Sequence, residues 1–264
     1  MGESGGRRQL QGKRIAVVVS AMGRKGEPYA TDTLIDLLAG AGEPASPREL
    51  DLAMSAGELL SAAYFAHFLS LDGIPAEAFT GPQAGFLTDG AAGQAEILSL
   101  KPERVRRCLE EGKVAVVAGF QGADAEGEIR TLGRGGSDTS AVALGAALTA
   151  IEVEIYTDVE GVAEADPRRV PAARFLTSMS ADTLLAMAEE GSKVLHPRAL
   201  RAAQPSRTPI RVRNTFDMTP GTLVTHETAA GPARPLALAH REGLALVHIS
   251  GGWPVGIVPE LLHL

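Results

Sequence analysis

The stretch GRGGSDTSAVALGAALTA (residues 133–150), followed by EIYTDVEGVAEADPR (residues 154–168), decides the fold expected for this chain. A glycine-rich turn opens an apolar helix, and the short strand that follows ends at Thr157 and Asp158. Open α/β sheets place their ligands at the carboxyl ends of strands, and helix starts bind anions. The stretch therefore predicts one loop that holds a small anion and another that holds nucleotide phosphates. Together the two loops indicate phosphoryl transfer onto a small acid.

The rest of the chain alternates between strand-like and helix-like patterns. Short β-branched runs predict buried strands at residues 14–20, 114–120 and 153–158. Apolar periodicity predicts helices at residues 31–38, 46–71, 102–111, 140–150, 180–189 and 197–203, and a late strand pair at 210–214 and 221–225. We therefore expect an α/β fold, a three-layer αβα sandwich with a mostly parallel central sheet.

Composition excludes several classes of function. No uninterrupted apolar run approaches the roughly 20 residues of a membrane span, and no secretory signal opens the chain, so we expect a cytoplasmic protein without membrane contact. A net charge of -7 and the lack of a basic stripe argue against nucleic acid. The single cysteine, Cys108, rules out an internal disulfide, and the six histidines lack metal-ligand spacing. No metal site built from side chains is predicted.

The glycine loop at residues 133–138 is the best candidate for an anion site. Its three glycines let backbone N–H groups converge at a helix start. Arg134 has the geometry to hold a carboxylate with two hydrogen bonds, while Asp138 complements the helix dipole or lies near a metal-bound phosphate. The alternative is a plain strand-to-helix turn with Asp138 as the N-cap. The spacing fits neither a dinucleotide-binding fingerprint nor a P-loop.

Two later segments are candidates for contact with nucleotide phosphates. Asp166-Pro167-Arg168 is a rigid turn that presents a cation, although such a tripeptide taken alone is most simply a turn. Lys193 lies between two predicted helices. It either reaches a phosphate or balances a helix dipole as a terminal lysine.

Three earlier residues complete the candidate set. Ser20 follows the first predicted strand with a glycine close behind, and Thr31 opens a helix as a natural cap. Glu58 stands in an otherwise apolar helical stretch. It therefore either lies on an exposed stripe of the helix or is a functional carboxylate. The adjacent Gly57 indicates that another segment packs closely there.

Taken together, these segments resemble the catalytic domain of the aspartate kinases, within the amino acid kinase family. The diaminopimelate-regulated branch is the most similar, and the resemblance covers residues 13–226. The matching segments, in chain order, are VVVSAMGRKGEPYATD (17–32), SAGE (55–58), TGPQAGFLTD (80–89), VAGFQGA (117–123), TLGRGGSDTSAVALGAAL (131–148), EIYTDVEGVAEADPR (154–168), GSKVLHPRA (191–199), PIRVRNTF (209–216) and PGTLVT (220–225).

The resemblance implies phosphorylation of the side-chain carboxylate of L-aspartate to 4-phospho-L-aspartate, with ATP and Mg²⁺. This reaction begins the synthesis of lysine, threonine, methionine and diaminopimelate. The resemblance assigns catalysis to Glu58, Arg134 and Asp138. It assigns aspartate binding to Ser20, Thr31, Glu58, Arg134, Gly135 and Ser137. It assigns the ATP site to Thr157, Asp158, Val162, Asp166, Arg168, Lys193 and Val194.

The chain departs from the family pattern at both ends. Family members begin with a strand and a loop reading Lys-Phe/Tyr-Gly-Gly-Thr-Ser, whereas residues 1–14 here read MGESGGRRQLQGKR. We therefore expect a catalytic domain at residues 1–228 that lacks the first strand and its phosphate-bridging lysine, with Lys25 as a weak substitute. Residues 229–264 are expected to be a linker and the shortened start of an ACT-type regulatory region. Ala163 stands where many members place a tyrosine beside the nucleotide.

These departures leave alternatives open. A missing strand exposes a sheet edge, which predicts marginal stability, a homo-oligomer or association with another subunit. An impaired kinase, an inactive paralogue that binds nucleotide or aspartate as a partner subunit, and a wrongly assigned start fit the sequence. A related kinase for glutamate, carbamate or UMP is a further alternative, although the SAMG, SAGE and GRGGSD motifs favour aspartate.

Overall fold

The computed structural model describes residues 12–40, 42, 44–217, 219–226 and 237–240. The strands are β1 (Ala16–Val19), β2 (Ala76–Phe79), β3 (Phe86–Thr88), β4 (Ile97–Leu100), β5 (Val114–Ala118), β6 (Gln121–Ala123), β7 (Ile129–Thr131), β8 (Val153–Thr157), β9 (Ser178–Ser180), β10 (Ile210–Asn214) and β11 (Thr222–Thr225). The helices are α1 (Thr31–Ala39), α2 (Pro47–Leu71), α3 (Glu103–Glu110), α4 (Gly136–Ala147), α5 (Ala181–Glu189) and α6 (Pro197–Ala203).

The strands form three sheets, two of which contain the predicted parallel pairs. In the first, β5 lies between β1 and β2 with all pairs parallel, and its five residues are buried, which explains its uninterrupted apolar run VAVVA. In the second, the order is β8-β10-β11-β9, with β8 and β10 parallel and the predicted pair β10 and β11 antiparallel. The third sheet, β4-β3-β6-β7, is mostly antiparallel. The predicted α/β class with a mostly parallel sheet is confirmed.

Helix α4 packs against β1 of the first sheet and β8 of the second. Gly145, near its end, lies against Val153 at the start of β8, and Val142, one turn earlier, shares a core cluster with Ile155. Helix α4 therefore runs antiparallel to β8. At its other end the first turn of α4 lies beside Gly119, which follows β5. The carboxyl ends of β1, β5 and β8 thus lie on the side of the fold where α4 begins.

Strands β1 and β8 each have one unpaired edge within the part of the chain that the structure describes. There, β1 pairs only with β5, and β8 pairs only with β10. The expected loss of a sheet neighbour is compatible with this arrangement. The segments on which that expectation depends, residues 1–11 and most of residues 229–264, lie outside the described residues. Of the second segment, residues 237–240 are described, and the N–H of Leu238 donates to the carbonyl of Glu164 at 2.7 Å.

Helix α2 is long and apolar enough, by length and composition alone, to cross a bilayer. This was not anticipated from the sequence, because Asp51 and Glu58 interrupt the apolar run. In the fold, α2 packs on β2, β5 and β7 and buries Asp51, Ser55 and Glu58. It therefore covers strands of two sheets.

Replacing Gly145 with valine is expected to lower the free energy of unfolding by about 2 kcal/mol, because overpacking a tight contact costs roughly 1–3 kcal/mol. A Cβ atom at position 145 would overlap Cγ2 of Val153, whose β-branched side chain has few alternative rotamers. Gly90→Val is the matched control, since a Cβ at Gly90 meets nothing within 4 Å. Urea unfolding followed by circular dichroism compares the variants. Equal midpoints would contradict this packing.

Candidate functional site

The candidate site begins where β1 and β5 end side by side. The N–H of Gly119 donates to the carbonyl of Val19 at 3.0 Å, which closes the parallel pair. A side chain at Gly119 would approach the Cα and Cβ atoms of Ser137 to 3.1 Å, so only glycine allows the loop at residues 133–138 to come this close. Ser20, directly after β1, is exposed at this edge. The structure therefore brings Ser20 and Ser137 to the same edge of the sheet.

The glycine loop adopts a conformation that its glycines make possible. Gly133 and Gly135 have φ values of 72° and 69°, in the left-handed region. Helix α4 begins at Gly136 with Gly135 as the N-cap and without a side-chain cap. The alternative of Asp138 as the N-cap is therefore wrong, because Asp138 lies inside the first turn. Arg134 stands exposed between the two glycines, before a helix start whose first N–H groups are free of side-chain caps.

Phe120 joins the end of β5 to this loop, a role that was missed in the sequence. Its φ of 68° is unusual for a residue with a side chain. Its N–H donates to Oγ of Ser140 at 3.0 Å, and its carbonyl accepts from the N–H of Leu132 at 2.8 Å. Its ring covers Gly136, where a Cβ atom would approach the ring to 2.7 Å. A strained conformation held by so many contacts is typical of functional sites.

Glu58 lies buried next to the end of β1. It is 3% exposed, and its Oε1 accepts from the N–H of Ala21 at 3.1 Å, while Oε2 is buried without a partner among the described residues. Burial raises the pKa of Glu58 to about 7, against the lowering effect of backbone N–H groups. The neighbouring Gly57 packs on Ala21, as a Cβ there would come within 2.7 Å of the Ala21 Cβ. Glu58 is therefore a buried, incompletely paired carboxylate and does not lie on an exposed stripe of α2, which favours a functional role.

A second buried carboxylate on α2 went unnoticed in the sequence. Asp51 lies seven residues before Glu58, on the same helix face. Its Oδ1 accepts from the hydroxyl of Thr131 at 2.5 Å and from the N–H of Gly93 at 2.9 Å. It therefore ties α2 to β7 just before the glycine loop. The signal that singled out Glu58, a carboxylate in an apolar helix, applies equally to Asp51.

Thr31 is not the predicted cap, and it begins a helix that packs on α2. The N-cap of α1 is Ala30, without a side-chain hydrogen bond, and Thr31 is the first helical residue. The carbonyl of Tyr29, two residues earlier, lies 2.8 Å from where a Cβ on Gly57 would be. The segment before α1 therefore packs on α2 at Gly57, the neighbour of Glu58.

The nucleotide candidates begin at the end of β8. The carbonyl of Thr157 accepts from the N–H of Thr215 at 2.8 Å and from its hydroxyl at 3.0 Å, which fixes the strand end. The hydroxyl of Thr157 donates to Oδ1 of Asp158 at 3.2 Å, and Asp158 is exposed. A hydroxyl and a carboxylate therefore face solvent at the predicted strand end.

Asp166 and Arg168 form an ion pair with two parallel hydrogen bonds. Arg168 Nε donates to Asp166 Oδ1 at 3.0 Å, and Nη2 donates to Oδ2 at 2.7 Å. The hydrogen bonds from Arg168 lower the pKa of Asp166 to about 2. The Arg168 side chain is 80% exposed, so its guanidinium is oriented by the carboxylate and still open to a phosphate.

The remaining nucleotide candidates differ in how accessible they are. Val162 is fully buried in the core, its N–H donates to the Thr222 hydroxyl at 2.9 Å, and its carbonyl accepts from the N–H of Leu176. The N–H of Val162 is therefore already paired, while its carbonyl keeps a second lone pair. Lys193 is exposed in the segment between α5 and α6, and Val194 packs partly against the core.

The segment that contains Lys193 reaches the glycine loop through His196. A Cβ atom on Gly135 would overlap the His196 side chain, so the two residues are in close contact. Burial lowers the pKa of His196, and the charges of Arg198, Arg201 and Arg134 lower it further. The lowered pKa favours the neutral form of the imidazole. Ser20 and the glycine-loop residues Arg134, Gly135, Ser137 and Asp138 therefore lie around the start of α4, and Glu58 lies beside the end of β1, whereas Val162 is buried in the core.

Comparison with known proteins agrees with this geometry. The sequence pattern of the amino acid kinase family matches residues 7–214. Aspartokinase 1 of Bacillus subtilis (strain 168) is 49% identical over 223 residues, which are 84% of this chain and 55% of that protein. An aspartokinase of Thermus thermophilus is 51% identical over 215 residues, or 81% of this chain and 52% of that protein.

Solved structures show the same likeness. The E. coli aspartokinase III structure in complex with aspartate and ADP has a TM-score of 0.70 and 36% identity, covering 79% of this chain and 48% of that chain. Aspartate kinase from Synechocystis has a TM-score of 0.72 and 41% identity, covering 86% of this chain and 37% of that chain. This chain spans about half the length of the sequence relatives that it matches.

The ionisation of Glu58 is expected to destabilise the fold as the pH rises. Its pKa is raised from 4.5 to about 7 in the folded chain, so the cost is absent below the unfolded value and complete above the folded one. Glu58→Gln removes this cost and should gain on the order of 3 kcal/mol over the original chain between about pH 4.5 and about pH 8. Urea unfolding across this range measures the difference.

The control for this measurement is Glu96→Gln, which changes an exposed glutamate. It should follow the original chain at every pH. A stability difference between Glu58→Gln and the original chain that stays constant with pH would show that Glu58 ionises normally.

Proposed function

The chain belongs to the amino acid kinase family, and we propose that it transfers the γ-phosphoryl group of ATP to the side-chain carboxylate of L-aspartate. The product is 4-phospho-L-aspartate. One observation carries the choice of an amino acid as acceptor. Glu58 has a buried oxygen without a partner among the described residues, and the exposed cation of Arg134 stands in the loop at the same sheet edge. A small molecule that has both an ammonium group and a carboxylate would pair with Glu58 through the first and with Arg134 through the second.

The relatives support aspartate as that molecule. The similar E. coli structure is of an aspartokinase in complex with aspartate and ADP. Its likeness to this chain extends over 79% of the residues, and the family match at residues 7–214 includes the segments of the candidate site. Under this proposal, Ser20, Thr31, Glu58 and Arg134 hold aspartate, together with Gly135 and Ser137 of the glycine loop.

The chemistry needs alignment more than acid–base catalysis. A side-chain oxygen of aspartate attacks the γ-phosphorus, the bond to the β–γ bridging oxygen breaks, and ADP leaves with that electron pair. Because the carboxylate is already ionised, no base has to remove a proton. The protein contributes orientation of the acceptor and cations near the transferring group. We assign orientation to Glu58 and Arg134, and phosphate contacts to Arg168 and Lys193.

Magnesium would enter as part of the Mg-ATP substrate. Asp138 is half-buried, its pKa is raised by burial, and its carboxylate has no hydrogen-bond partner among the described residues. A carboxylate in that state suits a hard cation, which commonly takes one or two protein carboxylates and the rest of its ligands from phosphates and water. Asp138 and Asp158 would hold it, and the ion would neutralise phosphate charge.

The proposed function is tested with Mg-ATP, aspartate and hydroxylamine, which traps the acyl phosphate as aspartyl hydroxamate. Hydroxamate formation that depends on all three is expected. Glutamate in place of aspartate should react at least about tenfold more slowly, because the site aligns a side chain of one length with the phosphoryl group. Equal rates with both acceptors would contradict the substrate assignment. Absence of hydroxamate would contradict the kinase assignment for this chain.

Glu58→Gln and Arg134→Met are each expected to raise the KM for aspartate by roughly ten- to a hundredfold, because each removes a charge-assisted bond. The KM for ATP should change by no more than about twofold, since neither residue is assigned to phosphates. Steady-state kinetics measures both constants. Glu96→Gln, at an exposed position, is the control. Parallel rises in both KM values would argue against the assigned roles.

Arg168→Met is expected to raise the KM for ATP by about three- to tenfold, because it removes a cation from the phosphates. Arg174→Met is a matched control, since Arg174 is 81% exposed and pairs with Glu164 in the same manner as Arg168 with Asp166. The aspartate KM should not change in either variant. Identical effects of the two substitutions would mean that Arg168 is an ordinary surface arginine.

A second candidate function is binding without turnover, as a partner of another subunit. One contact favours it: Lys25, proposed as a substitute for the phosphate-bridging lysine, pairs with Asp36 of α1 at 3.0 Å. The free edges of β1 and β8 within the described residues would suit an added strand from such a partner. Binding of ADP and aspartate in calorimetry without hydroxamate formation would support this second function.

A further inference from the structure

The start of helix α6 lies behind the glycine loop. Arg198, in the first turn, is half-buried, and its guanidinium donates two hydrogen bonds to backbone carbonyls. Nη1 donates to the carbonyl of Leu132, and Nη2 donates to the carbonyl of Ala95 at 2.6 Å. Leu132 directly precedes Gly133. Hydrogen bonds from a charged donor are stronger than those between neutral groups.

These two carbonyls belong to segments that already lie side by side. The N–H of Ala95 donates to the carbonyl of Thr131 at 2.9 Å. A Cβ atom on Gly133 would come within 2.9 Å of the carbonyl oxygen of Gly93. The guanidinium of Arg198 therefore joins both segments at the point where the glycine loop leaves them.

His196 contacts the other end of the same loop. Its side chain occupies the space that a Cβ atom on Gly135 would need. Its Nδ1 accepts from the N–H of Arg198 at 3.3 Å, so the two residues form one turn. This turn thus touches the loop on both sides of Arg134, through Leu132 before it and through Gly135 after it.

We infer that Arg198 is a positioning residue for acceptor binding, which acts by holding the backbone at Leu132, directly before the glycine loop that contains Arg134. The inference rests on the proposed function, because that function assigns the loop to aspartate. Arg198 donates to carbonyls of the loop region and has no assigned contact with either substrate. Loss of the Arg198 side chain should let the loop move. Arg134 should then bind the acceptor more weakly, while the phosphate contacts remain.

The first experiment compares Arg198→Met, Arg198→Lys and the control Arg201→Met by steady-state kinetics. Arg201 lies on the same helix, is 56% exposed and pairs with Glu189. Arg198→Met should raise the KM for aspartate about tenfold and the KM for ATP no more than about twofold. Arg198→Lys retains a cation able to reach one carbonyl, and should recover part of the loss. Arg201→Met should resemble the original chain.

The second experiment measures the mobility of the loop directly, by hydrogen exchange of the backbone amides in residues 131–140. Arg198→Met should exchange there about tenfold faster than the original chain, while Arg201→Met should not. Unchanged exchange in Arg198→Met overturns the inference, whatever the activity. Faster exchange with equal rises in both KM values also overturns it. A chain without aspartate turnover would contradict the proposed function, and exchange would then decide alone whether Arg198 holds the loop.

Discussion

The close approach of the first turn of α4 to the end of β5 is the contact on which the candidate site depends. It requires glycine at position 119 and at position 136, because the space of their missing side chains is filled by Ser137 and by the ring of Phe120. The contact sets where the glycine loop ends. Since α4 also runs antiparallel to β8, it orients the strand that ends at Thr157. One helix therefore aligns the proposed acceptor and nucleotide sides.

The buried carboxylates of the site lower the stability of the chain when no ligand is bound. Glu58 is buried without full compensation, and burial raises its pKa and that of Asp138. Such groups cost free energy until a partner of opposite charge arrives. Arg134, Arg168 and Lys193 are exposed cations in loops. A buried carboxylate and exposed cations suit a zwitterionic acceptor beside a polyanionic donor.

Local signals were sufficient for the long elements. Ser46 accepts from the N–H of Glu49 at the start of α2, and Ser180 accepts from that of Thr183 at the start of α5, as N-cap residues commonly do. Strand β5 was evident from its buried apolar run. The short strands β2, β3, β4, β6, β7 and β9 were missed, since each has only three or four residues. So few residues contain too little periodicity to identify a strand, and only pairing with neighbours defines them.

The sequence by itself determined the α/β class, the glycine loop and the candidate residues, because side-chain chemistry and periodicity are local properties. Only the tertiary structure decided which of them meet. It buried Val162 in the core, made Gly135 the N-cap in place of Asp138, and placed His196 against the loop. It also showed Arg198 donating to carbonyls of residues far away in the chain. Such contacts depend on how helices pack across sheets, and no spacing along the chain encodes them.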